Sequence, residues 1–354
     1  MKVASVAVQP YGVLFRSPFR TAHGVTTHRE GFLLRLTTDG GIIGLGEGAP
    51  LPEFDGATLT DCQAAFEALL PAVSGLPLAG LALCLDDLAG RPVPAAVRAA
   101  LDAAALDAIG KQRGQPVAAL LCPFPRAEVE ANATIPSADA ETTVAAAGRA
   151  AADGYRTLKL KVGVRPLRDD LTLVRAVRRA LPDATIRLDA NGAWGETTAA
   201  HALDALAPFA IELVEQPVPA ADLDAMARLR RTSPIPIGAD EAILGLEHAR
   251  RAIDAGSADV LIVKPGIAGG VSVARAIDDL ARAAGLRTIV TTALEVGPGL
   301  AAALHAAAML HDDAPACGVA TAALFDFLLV AGLPPPGPRM PLPGGPGLGV
   351  SLVR

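Results

Sequence analysis

The most constraining feature of this sequence is a repeated pattern without repeated residues. From about residue 129 onward, short apolar runs alternate with Ala- and Arg-rich stretches of helical length. The runs read EANATIP, TLKLKVG, TIRLDANG, IELVEQP, IPIGADE, DVLIVKP, RTIVTTA and CGVAT. Strands joined by helices run parallel, because each crossover returns the chain to the same end of the sheet. Eight such runs favour a closed parallel (β/α) barrel over an open sheet.

The first 120 residues follow another pattern. VASVAVQPYGVLF and GFLLRLTTDGGIIGLGEGAP are strand-like, and the DGG between apolar runs suggests a hairpin. Ala-rich amphipathic stretches follow, the last ending at Gly114, a helix stop. The expected organisation is an α+β capping domain over 1–120, a barrel over 121–325 and a carboxy-terminal tail over 326–354. The Pro- and Gly-rich tail is unsuited to a last helix. The fold class is therefore α/β, a modified TIM barrel with its last helix irregular, and a tail returning to the capping domain.

Composition narrows the function. Hydrophobic residues make up 51% and charged residues 19%, which suits a large packed core. A net charge of −6 gives no support for a nucleic-acid partner. No signal segment and no apolar run of spanning length is present, so the expectation is a cytoplasmic protein with no membrane partner. Cys62, Cys84, Cys122 and Cys317 are scattered and read as packing thiols.

The chemistry gathers at the ends of the barrel runs. Lys161, Asp189, Glu215, Asp240 and Lys264 each end a strand just before a loop signal, at intervals of 28, 26, 25 and 24 residues. In a parallel barrel these ends open on one mouth, where barrel enzymes hold their reacting groups. A lone carboxylate there caps a helix or pairs with Arg more often than it binds metal. Three converging carboxylates repel one another and hold protons unless a cation joins them. Oxygen-only ligands suit Mg²⁺ or Mn²⁺.

Lysine is rare in this chain, and its placement is informative. Only Lys2, Lys111, Lys159, Lys161 and Lys264 occur, the remaining basic residues being Arg. Lys159 and Lys161 share one strand face, since strand side chains alternate. Lys can lose its proton where Arg cannot. Lys159 is expected to act as a neighbouring cation that helps Lys161 serve as a base, with Lys264 facing the other side of a carboxylate substrate. Glu295, in TALEVGPG, is expected at the same mouth, near Lys264 or the substrate.

These motifs resemble the enolase superfamily, muconate-lactonising subgroup: the KxK strand, DAN (Asp189, Asn191), VEQP (Glu215), ADE (Asp240, Glu241) and VKPG (Lys264). The resemblance implies Mg²⁺ on Asp189, Glu215 and Asp240, acid/base roles for Lys161 and Lys264, and support from Lys159, Asn191 and Glu241. Within the subgroup, GEGAPLPEFDGATL and PFRTAHGVTTHREGFLLRL resemble o-succinylbenzoate synthases of menaquinone biosynthesis. That implies Mg²⁺-dependent syn dehydration of 2-succinyl-6-hydroxy-2,4-cyclohexadiene-1-carboxylate, a carbon–oxygen lyase reaction. It also implies substrate loops carrying Arg20, Thr21, His23 and Phe54. Arg187, two residues before Asp189 on the same strand face, is then expected one layer deeper, where it meets a substrate carboxylate or braces the ligands.

Rival readings share the scaffold. An N-acylamino-acid racemase or dipeptide epimerase would use both lysines; the dipeptide epimerase would also need a carboxylate for its substrate's ammonium, which CGVAT does not offer. A muconate-type cycloisomerase would use the same groups. A Schiff-base aldolase would leave the three carboxylates without a role. A catalytically idle barrel serving as a binding protein would not need every position filled.

Overall fold

The computed structural model describes residues 1–21, 24–136, 138–311 and 313–353, without the side chains at 19–21 and 83. His23 lies outside the described residues, as do the side chains of Arg20 and Thr21.

The amino-terminal region opens with an antiparallel sheet, β1 (Val3–Thr21), β2 (Gly24–Thr38) and β3 (Ile43–Gly48), in that order. The expected turn joins β2 to β3, with Gly41 at φ 76°. Behind β3 lies the Ala-rich helix Ala95–Arg113, ended by Gly114 in the left-handed region. Their approach explains both compositions. A Cβ on Gly44 or Gly46 would stand 2.0 Å from a helix carbonyl oxygen, so only glycine facing alanine allows this packing.

A short strand, β4 (Glu128–Glu130), pairs with Arg339–Pro341 of the tail. The barrel follows as β5 (Ala133–Ile135), β6 (Thr157–Lys161), β7 (Thr185–Asp189), β8 (Ile211–Glu215), β9 (Ile237–Ala239), β10 (Val260–Val263) and β11 (Arg287–Val290). All seven are parallel neighbours in chain order. The eighth run is reduced to two parallel bridges, Cys317 to Ala131 and Gly318 to Thr291. These bridges join the two edges of the sheet and close the ring. A side chain at Gly318 would strike Thr291 Oγ1, so the closing segment passes as bare backbone.

Two polar contacts tie the first region to the barrel and tail. Asp102, on the Ala-rich helix, accepts from Ser272 N and Oγ at the start of the barrel helix Val271–Ala283. Asp107, one turn on, accepts from Leu348 N of the tail and from Leu45 N of β3. Among the described residues, no helix is long and apolar enough to cross a membrane.

Candidate active site

The barrel's interior layers follow from strand alternation. Leu158 and Leu160 of β6 pack outward in the core, which turns Lys159 and Lys161 inward. Register sets Lys161 beside Asp189, and Asp189 beside Glu215. Asp240 follows β9, and Lys264 follows β10. One oxygen from each of Asp189, Glu215 and Asp240 lies within 4.8 Å of the others, and all three residues are buried. Below them the barrel is filled by Leu213, Val260, Ile262 and Ile289.

Three ammonium groups meet these three carboxylates. Lys159 Nζ lies 2.9 Å from Asp189 Oδ2 and 2.5 Å from Glu215 Oε1. Lys161 Nζ donates to Asp189 Oδ2 at 2.6 Å and Asn191 Oδ1 at 2.8 Å. Lys264 Nζ donates to Asp240 Oδ1 and sits 4.4 Å from the centre of the Phe54 ring. Asp189 thus stands between Lys159 and Lys161. The bare pair of neighbouring cations expected from the sequence is in fact a pair bridged by a carboxylate.

Burial and mutual repulsion dominate the titration of the acids. Burial and the Asp189 charge push Glu215 up to about 8, and burial raises Asp240 despite Lys264. Asp189 is the exception: burial pushes it upward, but Lys159 and Lys161 carry it below the usual carboxylate range. Burial alone would lower Lys159, yet Asp189, Glu215 and Asp240 together raise it. Acids pushed toward their protonated forms at this spacing are a donor set that a hard divalent cation such as Mg²⁺ would satisfy.

The loops after the strands hold this row in place. Asn191, at φ 45°, donates from its amide side chain to Glu241 Oε1 at 2.8 Å. Gln216, at φ 39°, accepts from Asp240 N at 3.0 Å and Ala242 N at 3.2 Å. Gln216 thereby ties the end of β8 to the loop bearing Asp240. In VEQP the Glu belongs to the carboxylate row and the adjacent Gln holds the loop, a role that nothing in the spacing marks.

Two of the expected residues find their partners away from the ligand row. Arg187 is not part of the cavity wall. Its guanidinium donates to Glu212 Oε2 at 2.5 Å and Ala316 O at 2.6 Å, deeper in the barrel and toward the closing segment. Glu295 does not line the cavity either, and its carboxylate accepts from Ala293 N at 2.7 Å. Burial, reinforced by the charge of Glu47, pushes it up to about 7. Expected near Lys264 or the substrate, Glu295 turns its carboxylate back onto its own loop in the structure.

Above the row lies a cavity of about 600 Å³. Lys159, Lys161, Asp189, Asp240 and Lys264 form its floor, and Phe15, Val25, Arg29 and the segment 50–54 form its roof. Arg29 is a roof residue that the sequence reading did not single out. It lies beside His28, and nothing in its spacing marks it.

The comparisons with known proteins fit this geometry. The family described as "Mandelate racemase / muconate lactonizing enzyme, N-terminal domain" matches residues 3–122. "Enolase C-terminal domain-like" matches residues 142–354. This chain belongs to the enolase superfamily, in its muconate-lactonising subgroup. Its superfamily relatives are enzymes. The chain is 32% identical over 363 residues to the N-succinylamino acid racemase of Thermus thermophilus, covering 99% of this chain and 95% of that protein. It is 30% identical over 303 residues to the L-Ala-D/L-Glu epimerase of Bacillus subtilis, covering 83% and 82%. The solved dipeptide epimerase of Enterococcus faecalis, complexed with Mg and L-Leu-L-Tyr, superposes with a TM-score of 0.93 at 28% identity, covering 99% of this chain and 100% of that one.

Proposed function

We propose that this enolase-superfamily enzyme is an o-succinylbenzoate synthase, dehydrating 2-succinyl-6-hydroxy-2,4-cyclohexadiene-1-carboxylate in menaquinone biosynthesis. The observation that carries this reading is the row of three carboxylates with a lysine strand on each side, beneath a cavity whose closing segment, Cys317–Thr321, bears no carboxylate. Such a site suits an anionic substrate with an acidic C–H beside its carboxylate.

Asp189, Glu215 and Asp240 hold Mg²⁺, which when bound supplies Lewis-acid stabilisation of charge on the substrate carboxylate. Lys161 Nζ takes the α-proton, and the C–H electron pair moves into the carboxylate as an ene-diolate. Lys264, bonded to Asp240 on the opposite flank, faces that developing charge. The ene-diolate then collapses, the C–O bond breaks, and Lys161 returns its proton to the leaving hydroxide as water. Taking and giving the proton from one amine makes the elimination syn. Lys159, Asn191 and Glu241 keep the ligand row and Lys161 in place through the bonds described above. Phe54 belongs to the substrate loops.

A second reading is N-succinylamino acid racemisation, favoured by the lysine on each flank and by the Thermus relative that spans this chain. One experiment separates the two. Turnover of the cyclohexadiene carboxylate is followed by absorbance with Mg²⁺ and with EDTA, beside N-succinyl amino acids followed by polarimetry. Fast EDTA-sensitive dehydration with little racemisation supports the synthase. Racemisation of equal or greater efficiency overturns the substrate assignment and leaves the floor chemistry standing.

A further inference from the structure

Arg29 is a buried cation whose hydrogen bonds all go to backbone. It sits in β2, 5% exposed, within the cavity wall. Its Nε donates to Leu294 O at 3.2 Å. Nη1 donates to Pro50 O at 2.7 Å and Glu30 O at 3.2 Å, and Nη2 to Ala49 O at 2.6 Å and Ala293 O at 3.0 Å. Every N–H of the fork is used, and no carboxylate is among the acceptors. Desolvating a cation costs several kcal/mol; its charge also acts on the buried Glu295, but its hydrogen bonds serve only carbonyls, a placement that needs a reason.

The acceptors supply one. Glu30, Ala49 and Pro50 belong to the roof, while Ala293 and Leu294 belong to the barrel loop that follows β11. Pro50 opens the segment whose Phe54 lies against Lys264. The same barrel loop is held a second time by Glu47 of β3, which accepts from Val296 N and Gly299 N at 2.9 Å and from Tyr11 Oη at 2.5 Å. The loop 293–299 is therefore gripped by its carbonyls on a cation and by its amides on an anion, both from the roof sheet. A Lys at position 29 has a point-like ammonium and cannot span two sets of carbonyls on opposite sides.

We propose that Arg29 is a positioning residue for the reaction. It fixes the distance between the roof segment Ala49–Phe54 and the barrel wall Ala293–Leu294, and through them sets the width of the cavity over the lysines. Arg29 acts through backbone and does not touch the reacting atoms. The proposal rests on reading this cavity as the substrate site.

The test uses the full chain with Arg29→Met and Arg29→Lys. Hydrogen–deuterium exchange is read for peptides over 49–56 and 292–299, with β6 and β7 as internal references. Steady-state constants are measured with the cyclohexadiene carboxylate. Both peptides are expected to exchange about tenfold faster or more while β6 and β7 do not change. In Arg29→Lys, KM is expected to rise about tenfold with kcat within about threefold of wild type, because substrate binding is lost more than chemistry. Unchanged exchange in either segment overturns the proposal, as does a KM within about twofold of wild type. Equal acceleration in β6 and β7 also overturns it, by making Arg29 a residue of global stability. If Arg29→Met does not fold, Arg29→Lys gives the same readings. If wild type turns over neither the diene nor N-succinyl amino acids, the reaction assignment falls, and the exchange result still decides the role of Arg29.

Discussion

The floor and the roof of the cavity are built by opposite means. On the floor, side chains from successive strand ends meet side chains, and strand register fixes their order. In the roof, contacts to the barrel run largely through main-chain groups held by Arg29 and Glu47, and through rings such as Phe15 on Phe325. A floor of this kind tolerates few substitutions, because each group is a partner of the next. A roof held by backbone can change its cavity-facing side chains while keeping its shape. On the proposed function, the floor does the proton chemistry and the roof selects the substrate.

The sharpest way to break that division is Lys161→Arg. Arginine keeps the charge beside Asp189 and Asn191 but cannot act as a base. Turnover should fall by about 10³-fold or more, with circular dichroism and Mg²⁺ binding retained. Near-normal turnover in this variant would take the base role away from Lys161 and with it the contrast between floor and roof.

Next in size is the metal row. Glu215→Gln keeps the shape of the side chain and removes its charge. Mg²⁺ affinity measured by calorimetry should weaken by about 10²-fold, since one of three anionic donors is gone. Roof variants such as Phe54→Leu should leave that affinity unchanged. Equal weakening by a roof variant would show that the two halves are not separable.

The same division explains what the sequence disclosed. Lys161, Asp189, Glu215, Asp240 and Lys264 were legible because a parallel barrel converts unit spacing into shared location. The number of barrel strands was legible for the same reason, although Cys317 and Gly318 form bridges where a strand was expected. Arg187 lies one layer below Asp189, as its place on the strand implies, but spacing gives the level of a side chain and not its partner: Glu212 holds Arg187, and Ala293 N draws Glu295 back onto its own loop. Arg29, Glu47 and Gln216 left no trace in spacing. Their acceptors and donors are mainly backbone groups, and backbone is the same in every residue.

Glu295 tests the junction between the halves through pH. Its ordinary value is 4.5, and burial with the Glu47 charge raises it to about 7 in the folded protein. Between those values the folded state binds more protons than the unfolded state, so this group's contribution to stability falls as pH rises. The contribution is complete below about 4.5 and lost once pH passes about 7. Glu295→Gln keeps an acceptor for Ala293 N and has no charge to lose. It should match wild type in denaturant unfolding at pH 4.5 and exceed it by about 3 kcal/mol at pH 8. A constant difference across that range would mean that Glu295 is not held protonated at the cap–barrel junction.

The smallest effect belongs to Phe54, a roof side chain that lies on a floor cation. An ammonium over an aromatic face gains about 1 kcal/mol when partly desolvated, which corresponds to about fivefold in a rate or binding ratio. Phe54→Leu fills similar space without the ring face, so kcat/KM should fall by about fivefold, while Phe54→Trp should hold near wild type. Because Arg29 fixes the segment that carries Phe54, the loss in Phe54→Leu should shrink when it is made on an Arg29→Lys background. A roof that no longer holds the ring over Lys264 has less to lose by its removal. Additive losses in the double variant would show that Phe54 meets Lys264 without help from Arg29, and that the roof works as independent contacts rather than as one framed surface.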